Sequence, residues 1–359
     1  MRFGIRLLIV LAFTLLLSSP KLVRKGLADN GPSHQVQNSH FGVSGGNVND
    51  ITKRFCCAGT LGALVKDNQN TLYILSNNHV LGLSGQANPG DDISQPGLIE
   101  MGCRTQPIVA DFTTAPQLGP SNVDAAIAQL KLNIPNQMDT TGFIEDIGVI
   151  CSDVRAPEVG LGVAKSGRTT GSTTGTIASI NTDVTVQYQA RCGQGKKFLV
   201  RYNDQVVINS NTFSAGGDSG SLIVTDDSNH QPVALLFAGS STTTIGNPIG
   251  EVLTQLSAAL GRPVSFVGGS CASSTNTLAS NIAIPQDVER AREAKKRHGR
   301  GLMSRPGVIG VGVGDAEDNS REGAIIVFID KTTGFTPELP KSVDKVKVRV
   351  VLSEPFVAY

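Results

Sequence analysis

The sequence contains no tryptophan, and only 17% of its 359 residues are charged. Its 31 Lys and Arg nearly cancel its 30 Asp and Glu, leaving a formal net charge of +1. A balance this close to zero excludes the global basic footprint of a nucleic-acid or membrane-surface protein. Metal-ligand patterns are missing too. The six cysteines include no Cys-x-x-Cys pair, and none of the five histidines stands at ligand spacing, so no metal and no other cofactor is expected. The one long apolar run, residues 7–17, is too short for a comfortable membrane span. Glycine, by contrast, is plentiful at 40. With so little charge, that composition suits a turn-rich β protein better than a helical one.

The 7–17 run follows Arg2 and Arg6 and has the length of a signal-peptide core. Residues 1–28 are read as a signal peptide, with Gly26-Leu27-Ala28 or Ser18-Ser19 as cleavage region. Lys21, Arg24 and Lys25 just beyond the run keep an uncleaved anchor open. All six cysteines (Cys56, Cys57, Cys103, Cys151, Cys192, Cys271) lie in the exported part. An even count in an oxidising compartment favours disulfides of open connectivity, although neighbours such as Cys56 and Cys57 are poorly placed to bridge each other. A secreted or periplasmic location follows.

Residues 29 to about 50 are polar and read as an extended lead-in. Short apolar runs then begin. Residues 60–65 and 71–75 read as a hairpin around the turn 66–70, and the second strand runs into Ser76-Asn77-Asn78-His79. Asp124 heads a strand of small apolar residues, where it will be buried and will need a partner. After a Pro- and acid-containing connection, a second β-rich unit starts near residue 160. Strands are expected at 160–165, 176–180, 184–188, 198–202, 205–208, 222–224 and 233–239. Strands this short at this spacing suggest barrels or a sandwich. Residues 248–260 place Val252, Leu253, Leu256 and Leu260 on one helical face, with Gly261 as the stop.

The division expected is a lead-in and first barrel over 29–135, a second barrel and closing helix over 136–267, a linker over 268–285, and a small α+β domain over 286–359. In that last unit, residues 286–298 are helical in pattern and 308–314, 324–329 and 345–350 are strand-like. Its basic residues are interleaved with acids and lack aromatics, so they read as a solvated helix face and not as a nucleic-acid site.

The chemistry concentrates at Gly216-Gly217-Asp218-Ser219-Gly220. Glycines let such a loop turn sharply and aim consecutive N–H groups at one spot beside an exposed hydroxyl. A tight turn before a buried strand would look the same. His79 and Asp124 tip the balance, because a serine nucleophile needs a base of near-neutral pKa, and that base needs a buried carboxylate to hold its tautomer. All three stand at strand ends or in loops, where catalytic groups collect.

Asn77-Asn78-His79-Val80, Val123-Asp124-Ala125-Ala126-Ile127 and Gly217-Asp218-Ser219-Gly220 resemble the three signature segments of chymotrypsin-like serine proteases, in that family's order. The histidine segment is similar to bacterial trypsin-like and Deg-type members. The resemblance covers roughly residues 45 to 265. It implies a mainly β fold of two six-stranded barrels and a serine endopeptidase acting on protein or peptide substrates. In it Ser219 is nucleophile, His79 base and Asp124 its orienting carboxylate. It further implies an oxyanion hole from the N–H groups of Gly217 and Ser219, with Asp218 bracing the loop. Phe213 then lines a specificity pocket whose other wall includes Phe237 and Gly239, which argues against cleavage after Lys or Arg. The family's Arg-Ile-Val-Gly-Gly-like activation junction is absent, and so are cysteines flanking His79. The tail does not look like a PDZ domain and is compatible with a small ferredoxin-like fold. Two alternatives stay open: a catalytically silent protease-fold binding module, and a protease held latent by contact with its C-terminal domain.

Overall fold

A computed structural model describes residues 40–104, 107–271, 286–317 and 322–359. The expected signal peptide and most of the expected linker lie outside the described residues. Of the first unit, β1 (Val43–Asn47), β2 (Gly59–Leu61), β3 (Ala63–Asp67), β4 (Leu72–Ser76), the one-turn helix α1 (Asn78–Leu81), β5 (Asp92–Ser94), β6 (Ile108–Thr114) and β7 (Ala126–Leu130) follow in order. A two-stranded ribbon, β8 (Phe143–Ile144) with β9 (Gly148–Val149), begins the connection. Next come β10 (Gly162–Gly167), β11 (Gly171–Arg191), β12 (Gln194–Asn209), β13 (Leu222–Thr225), β14 (Pro232–Gly239), β15 (Thr243–Pro248), α2 (Ile249–Leu260) and β16 (Val264–Phe266). The last part holds α3 (Gln286–Met303), β17 (Val308–Asp315), β18 (Gly323–Asp330), β19 (Ser342–Val343), β20 (Val346–Ser353) and β21 (Phe356–Ala358).

The mainly β expectation holds, with most of the described strands in two large sheets, each a half-barrel. Among the described residues the first sheet has eight strands in the order β16-β3-β4-β7-β6-β5-β1-β2. The hairpin read at 60–75 is β3–β4, with Leu64 opposite Ile74 and Val65 opposite Tyr73. Within the described part of the expected lead-in lies a wholly buried strand, β1, and the rest of that lead-in, before residue 40, lies outside the described residues. The small residues of β1 permit its burial: a Cβ at Gly45 would strike the Leu61 side chain. After α2 the chain returns to this sheet, where β16 pairs with β3. The helix stops at Gly261, whose φ of 73° suits glycine, and it buries Ile249, Val252 and Leu256.

The second sheet has eleven strands and runs β10-β13-β14-β15-β12-β11-β17-β18-β20-β19, with β21 beside β11 and β14. Four of the expected short strands are fused into one long hairpin, β11–β12. The polar breaks that suggested strand ends are register shifts, between Ser179 and Val184 on one side of the ladder. Asn181 and Asp204 adopt positive φ there, which these residue types tolerate.

The C-terminal elements do not stand apart from this sheet. β17 pairs antiparallel with β11, from Ser179 opposite Gly314 to Val184 opposite Gly310. α3 covers the extension, burying Val288, Ala291, Ala294 and Leu302 against Val311, Ile325 and Val327. The helix on a sheet is as expected, but one long helix on an extended sheet does not make the ferredoxin-like arrangement. The segment between β18 and the parallel β20 forms no second long helix but a short 3-10 turn (Lys331–Thr333) and the two-residue β19, because Pro337 and Pro340 interrupt it.

Three disulfides join Cys56 to Cys103, Cys57 to Cys192 and Cys151 to Cys271. The second ties the segment before β2 to the tip of the β11–β12 hairpin.

Candidate active site

β4 ends at Ser76, and α1 lifts His79 off its end. Asp124 enters from the residues just before β7, which pairs with β4. The His79 backbone N–H donates to Asp124 Oδ1 at 3.1 Å, and its ring Nδ1 lies 2.6 Å from Oδ2. The carboxylate is fully buried and well supplied with donors. Tyr188 Oη donates to Oδ2 at 2.7 Å and lies 2.7 Å from Tyr202 Oη. Burial and the neighbouring Asp124 hold the Tyr188 phenol well above its ordinary pKa, so it stays a donor. The backbone of Asp124 is pinned too, its N–H donating to Asn247 Oδ1 and its carbonyl accepting from Asn77 Nδ2.

Burial works to lower the pKa of His79. The charge and hydrogen bond of Asp124 outweigh it, with smaller help from the Tyr359 carbonyl and Asp50, and the imidazole ends above its usual value. Asp50, near the Cys57–Cys192 bridge, is pushed up to about 6 by burial, with the charge of His79 and a Cys192 N–H opposing.

Ser219 lies in the loop between β12 and β13. Its carbonyl accepts from Thr60 N–H at 2.8 Å, and Thr60 Oγ1 donates to the Gly217 carbonyl at 3.0 Å. The Ser219 loop is thereby braced on β2 of the first sheet. Gly217 has a φ of 100° and packs against Arg168 and Thr169, where a Cβ would collide. Only glycine fits both conditions. Among the described residues, the N–H groups of Gly217 and Ser219 donate to no backbone acceptor outside the sheet ladders.

Asp218 is fully buried. It accepts from the N–H groups of Thr169 (2.8 Å), Thr170 (3.2 Å) and Ala215 (2.9 Å), and from Thr170 Oγ1 (2.8 Å). Lys165 Nζ, also fully buried, stands 3.6 Å from Asp218 Oδ2 and donates to the Gly171 carbonyl at 2.8 Å. Burial pulls the lysine's pKa down, and Asp218 partly restores it.

His79 and Ser219 meet on a third residue. Ser219 Oγ donates to the Tyr359 carbonyl oxygen at 3.0 Å, and His79 Nε2 lies 2.9 Å from the same atom. Ser219 Oγ also lies 3.3 Å from the Phe237 carbonyl. Ser219 itself is fully buried, because the strand ending in Tyr359 covers it.

Of the expected pocket residues, Gly239 lies against the Tyr359 phenol, whose Cζ would be 2.7 Å from a Cβ there. Phe237 supplies its backbone carbonyl, while its ring packs on Tyr202 at 5.0 Å between centroids. Phe213 is displaced from the role expected of it. Its ring is buried against Gly175 and Ile208, its carbonyl takes the Thr173 hydroxyl, and Ser214 faces the cavity instead. Sequence reasoning missed Tyr188, Tyr202, Asn247, Lys165 and Tyr359.

No family model matches the chain, and no curated protein does. Its structure does match chymotrypsin-like bacterial serine proteases. A glutamic-acid-specific serine protease described as using a histidine triad in substrate binding is 19% identical, over 63% of this chain and 98% of that one, at a TM-score of 0.43. Thermobifida fusca protease A is 17% identical over 64% and 99%, at 0.42. A chymotrypsin of Cellulomonas bogoriensis is 15% identical over 64% and 99%, at 0.41. These are likenesses at low identity, and they carry no statement about activity.

Proposed function

We propose that the chain is an exported serine endopeptidase. One observation carries this reading: a hydroxyl and an imidazole, the latter backed by a buried carboxylate, converge on the carbonyl oxygen of a peptide strand.

In the proposed reaction His79 Nε2 accepts the proton of Ser219 Oγ as that oxygen attacks the scissile carbonyl carbon. The charge developing on the carbonyl oxygen turns to the N–H groups of Gly217 and Ser219. Collapse of the tetrahedral intermediate breaks the C–N bond, and the leaving amine takes the proton from His79 Nε2. Water then attacks the acyl ester, giving up a proton to His79, the ester C–O bond breaks as His79 returns that proton to Ser219 Oγ, and the acid departs with Ser219 regenerated. Asp124 holds Nδ1–H and stabilises the imidazolium throughout. Tyr188 holds Asp124, and Lys165 with Asp218 keeps the nucleophile loop in shape without a newly cut N-terminus. The three disulfides support an oxidising compartment outside the cytoplasm.

The test is a fluorophosphonate probe and a casein digest on purified protein, alongside Ser219→Ala. Labelling and hydrolysis that vanish in the variant support the reading. Their absence from the parent and from every variant with an opened cleft would overturn it.

A further inference from the structure

The last residues of the chain lie in the cleft as a peptide would. β21 pairs antiparallel with β14, Ala358 opposite Ala238 and Val357 opposite Gly239. On its other side it pairs parallel with β11, Phe356 opposite Val186 and Val357 opposite Gln187. A strand held on both edges has its backbone groups satisfied along its length, and its direction delivers the Tyr359 carbonyl to Ser219 and His79. The side chains then divide by the two-residue period of a strand. Phe356 is buried and packs edge-on to Phe328, 5.8 Å between centroids, so it belongs to the chain's own core. Val357 and Tyr359 face a cavity of about 460 Å³ bounded by Ser214, Ala215, Gly216 and Ser240.

The floor of that seat is made for a flat ring. Gly239 presents no Cβ, and one placed there would collide with the phenol oxygen. At the far end the Tyr359 hydroxyl donates to the Ser240 carbonyl at 2.8 Å, and Ser214 also hydrogen-bonds it. The end of the seat offers an acceptor, the Ser240 carbonyl, and a donor, the Ser214 hydroxyl, which suits a hydroxyl that both gives and takes a hydrogen bond. A carboxylate would be repelled there, and phenylalanine would leave the carbonyl unmatched. The nearby carboxylates are already engaged: Asp218 by Thr169, Thr170, Ala215 and Lys165, and Glu354 by Ser241 N–H and Lys331. The seat therefore holds no uncommitted countercharge for a lysine.

The occupant is also unreactive as placed. With Nδ1–H given to Asp124, donation from Nε2 to the Tyr359 oxygen needs the doubly protonated ring, which cannot serve as base. The oxygen faces the Ser219 and His79 side chains and accepts from neither Gly217 nor Ser219 N–H.

We propose that the cleft selects peptides with tyrosine immediately before the scissile bond, and that the chain's own Phe356–Tyr359 segment fills that seat as a built-in competitor. The proposal rests on the peptidase reading for its reaction, and on the seat alone for its selectivity. It predicts slow fluorophosphonate labelling of Ser219 in the full chain and labelling about tenfold faster in Tyr359→Gly, the size expected from losing roughly one good hydrogen bond and its packing. Acetyl-Phe-Val-Ala-Tyr added to the variant restores slow labelling, whereas the same peptide ending in Lys, Glu or Ala does so only at about tenfold higher concentration or above. Equal labelling of parent and variant overturns the built-in competitor. Equal protection by the four peptides overturns the selectivity. If neither protein labels, the peptidase reading fails, and titration of the four peptides into Tyr359→Gly decides the seat by itself. A tyrosine preference there upholds it, and no preference overturns it.

Discussion

Lys165 and Asp218 face each other 3.6 Å apart with neither side chain exposed. An ammonium and a carboxylate this deep in the fold stabilise only as a pair, because either alone is an uncompensated buried charge. Lys165→Met therefore should destabilise the protein by about 3–5 kcal/mol. It should also disorder the Ser219 loop, which hangs on Asp218 through Thr169, Thr170 and Ala215. Urea unfolding and Ser219 labelling measure the two effects. Lys165→Met combined with Asp218→Asn should recover part of the stability, since the orphaned charge is gone. A double variant no better than the single would contradict the pairing.

Asp124 and Tyr188 act on the same imidazole at one remove. Asp124→Asn preserves shape but favours the wrong tautomer, and kcat should fall by about 10⁴. Tyr188→Phe removes one donor from the carboxylate and leaves its charge less shared, which raises the pKa of His79 further. The acid limb of the pH–rate profile should move upward while KM stays near its original value. An unchanged limb would show that Tyr188 only packs.

The pH dependence has a definite sign. His79 sits above its ordinary value in the folded chain. Its stabilising contribution is complete below the unfolded value near 6.5 and is lost as pH rises through the folded one. Part of that elevation comes from the Tyr359 carbonyl, so the occupied cleft is favoured at low pH and loosens as pH rises through the pKa of His79. The groups facing the ring are Asp124, Asp50, Tyr188 and Tyr359. Of these Asp50, near 6, helps to raise His79 when ionised, so Asp50→Asn should move the transition to lower pH without abolishing it. Labelling rate against pH, in the parent and in Tyr359→Gly, reads it directly.

The Cys57–Cys192 bridge fixes the hairpin tip beside His79. Cys57→Ser with Cys192→Ser should lose about 2–5 kcal/mol of stability. Proteolysis should then begin near residues 190–195, which limited digestion with mass spectrometry would locate.

Glu354 holds the turn at Ser240–Ser241, accepting from Ser241 N–H at 3.0 Å and pairing with Lys331 at 3.1 Å. Hydrogen bonds from Ser241 and the charge of Lys331 hold its carboxyl down to about 2, so it remains charged over the working range. Glu354→Gln should speed Ser219 labelling in the full chain and leave the rate of Tyr359→Gly unchanged.

Much of the candidate site could be read from residue order, because His79, Asp124 and Ser219 each stand at or beside the end of a recognisable strand, and the fold brings the three side chains to one place. The supporting groups were hidden for a physical reason. Tyr188 alternates within a strand like any half-buried aromatic, and only the long hairpin carries its hydroxyl to Asp124. Lys165 ends an apolar strand, where a lysine reads as an exposed terminus, and its role depends on Asp218 arriving from far along the chain. Polar breaks at Asn181 and Asp204 mimic strand ends but are bulges. Phe213 was assigned by its distance from Ser219, yet Gly175 opens a hole in the core that takes the ring the other way. The docking of β21 depends on two edges that exist only once β11 and β14 are folded.

Only Glu354 and Pro355 separate the end of β20 from the start of β21. The cleft's occupant is thus delivered on a very short tether from β20, a strand of the same sheet as β11 and β14. Its local concentration is set by that geometry and not by the amount of protein present. Dilution cannot release it, as it would release a separate inhibitor. Relief must instead come from cutting the tether, loosening the strands β17 to β20 beyond β11, or a competing chain that offers the seat a better fit.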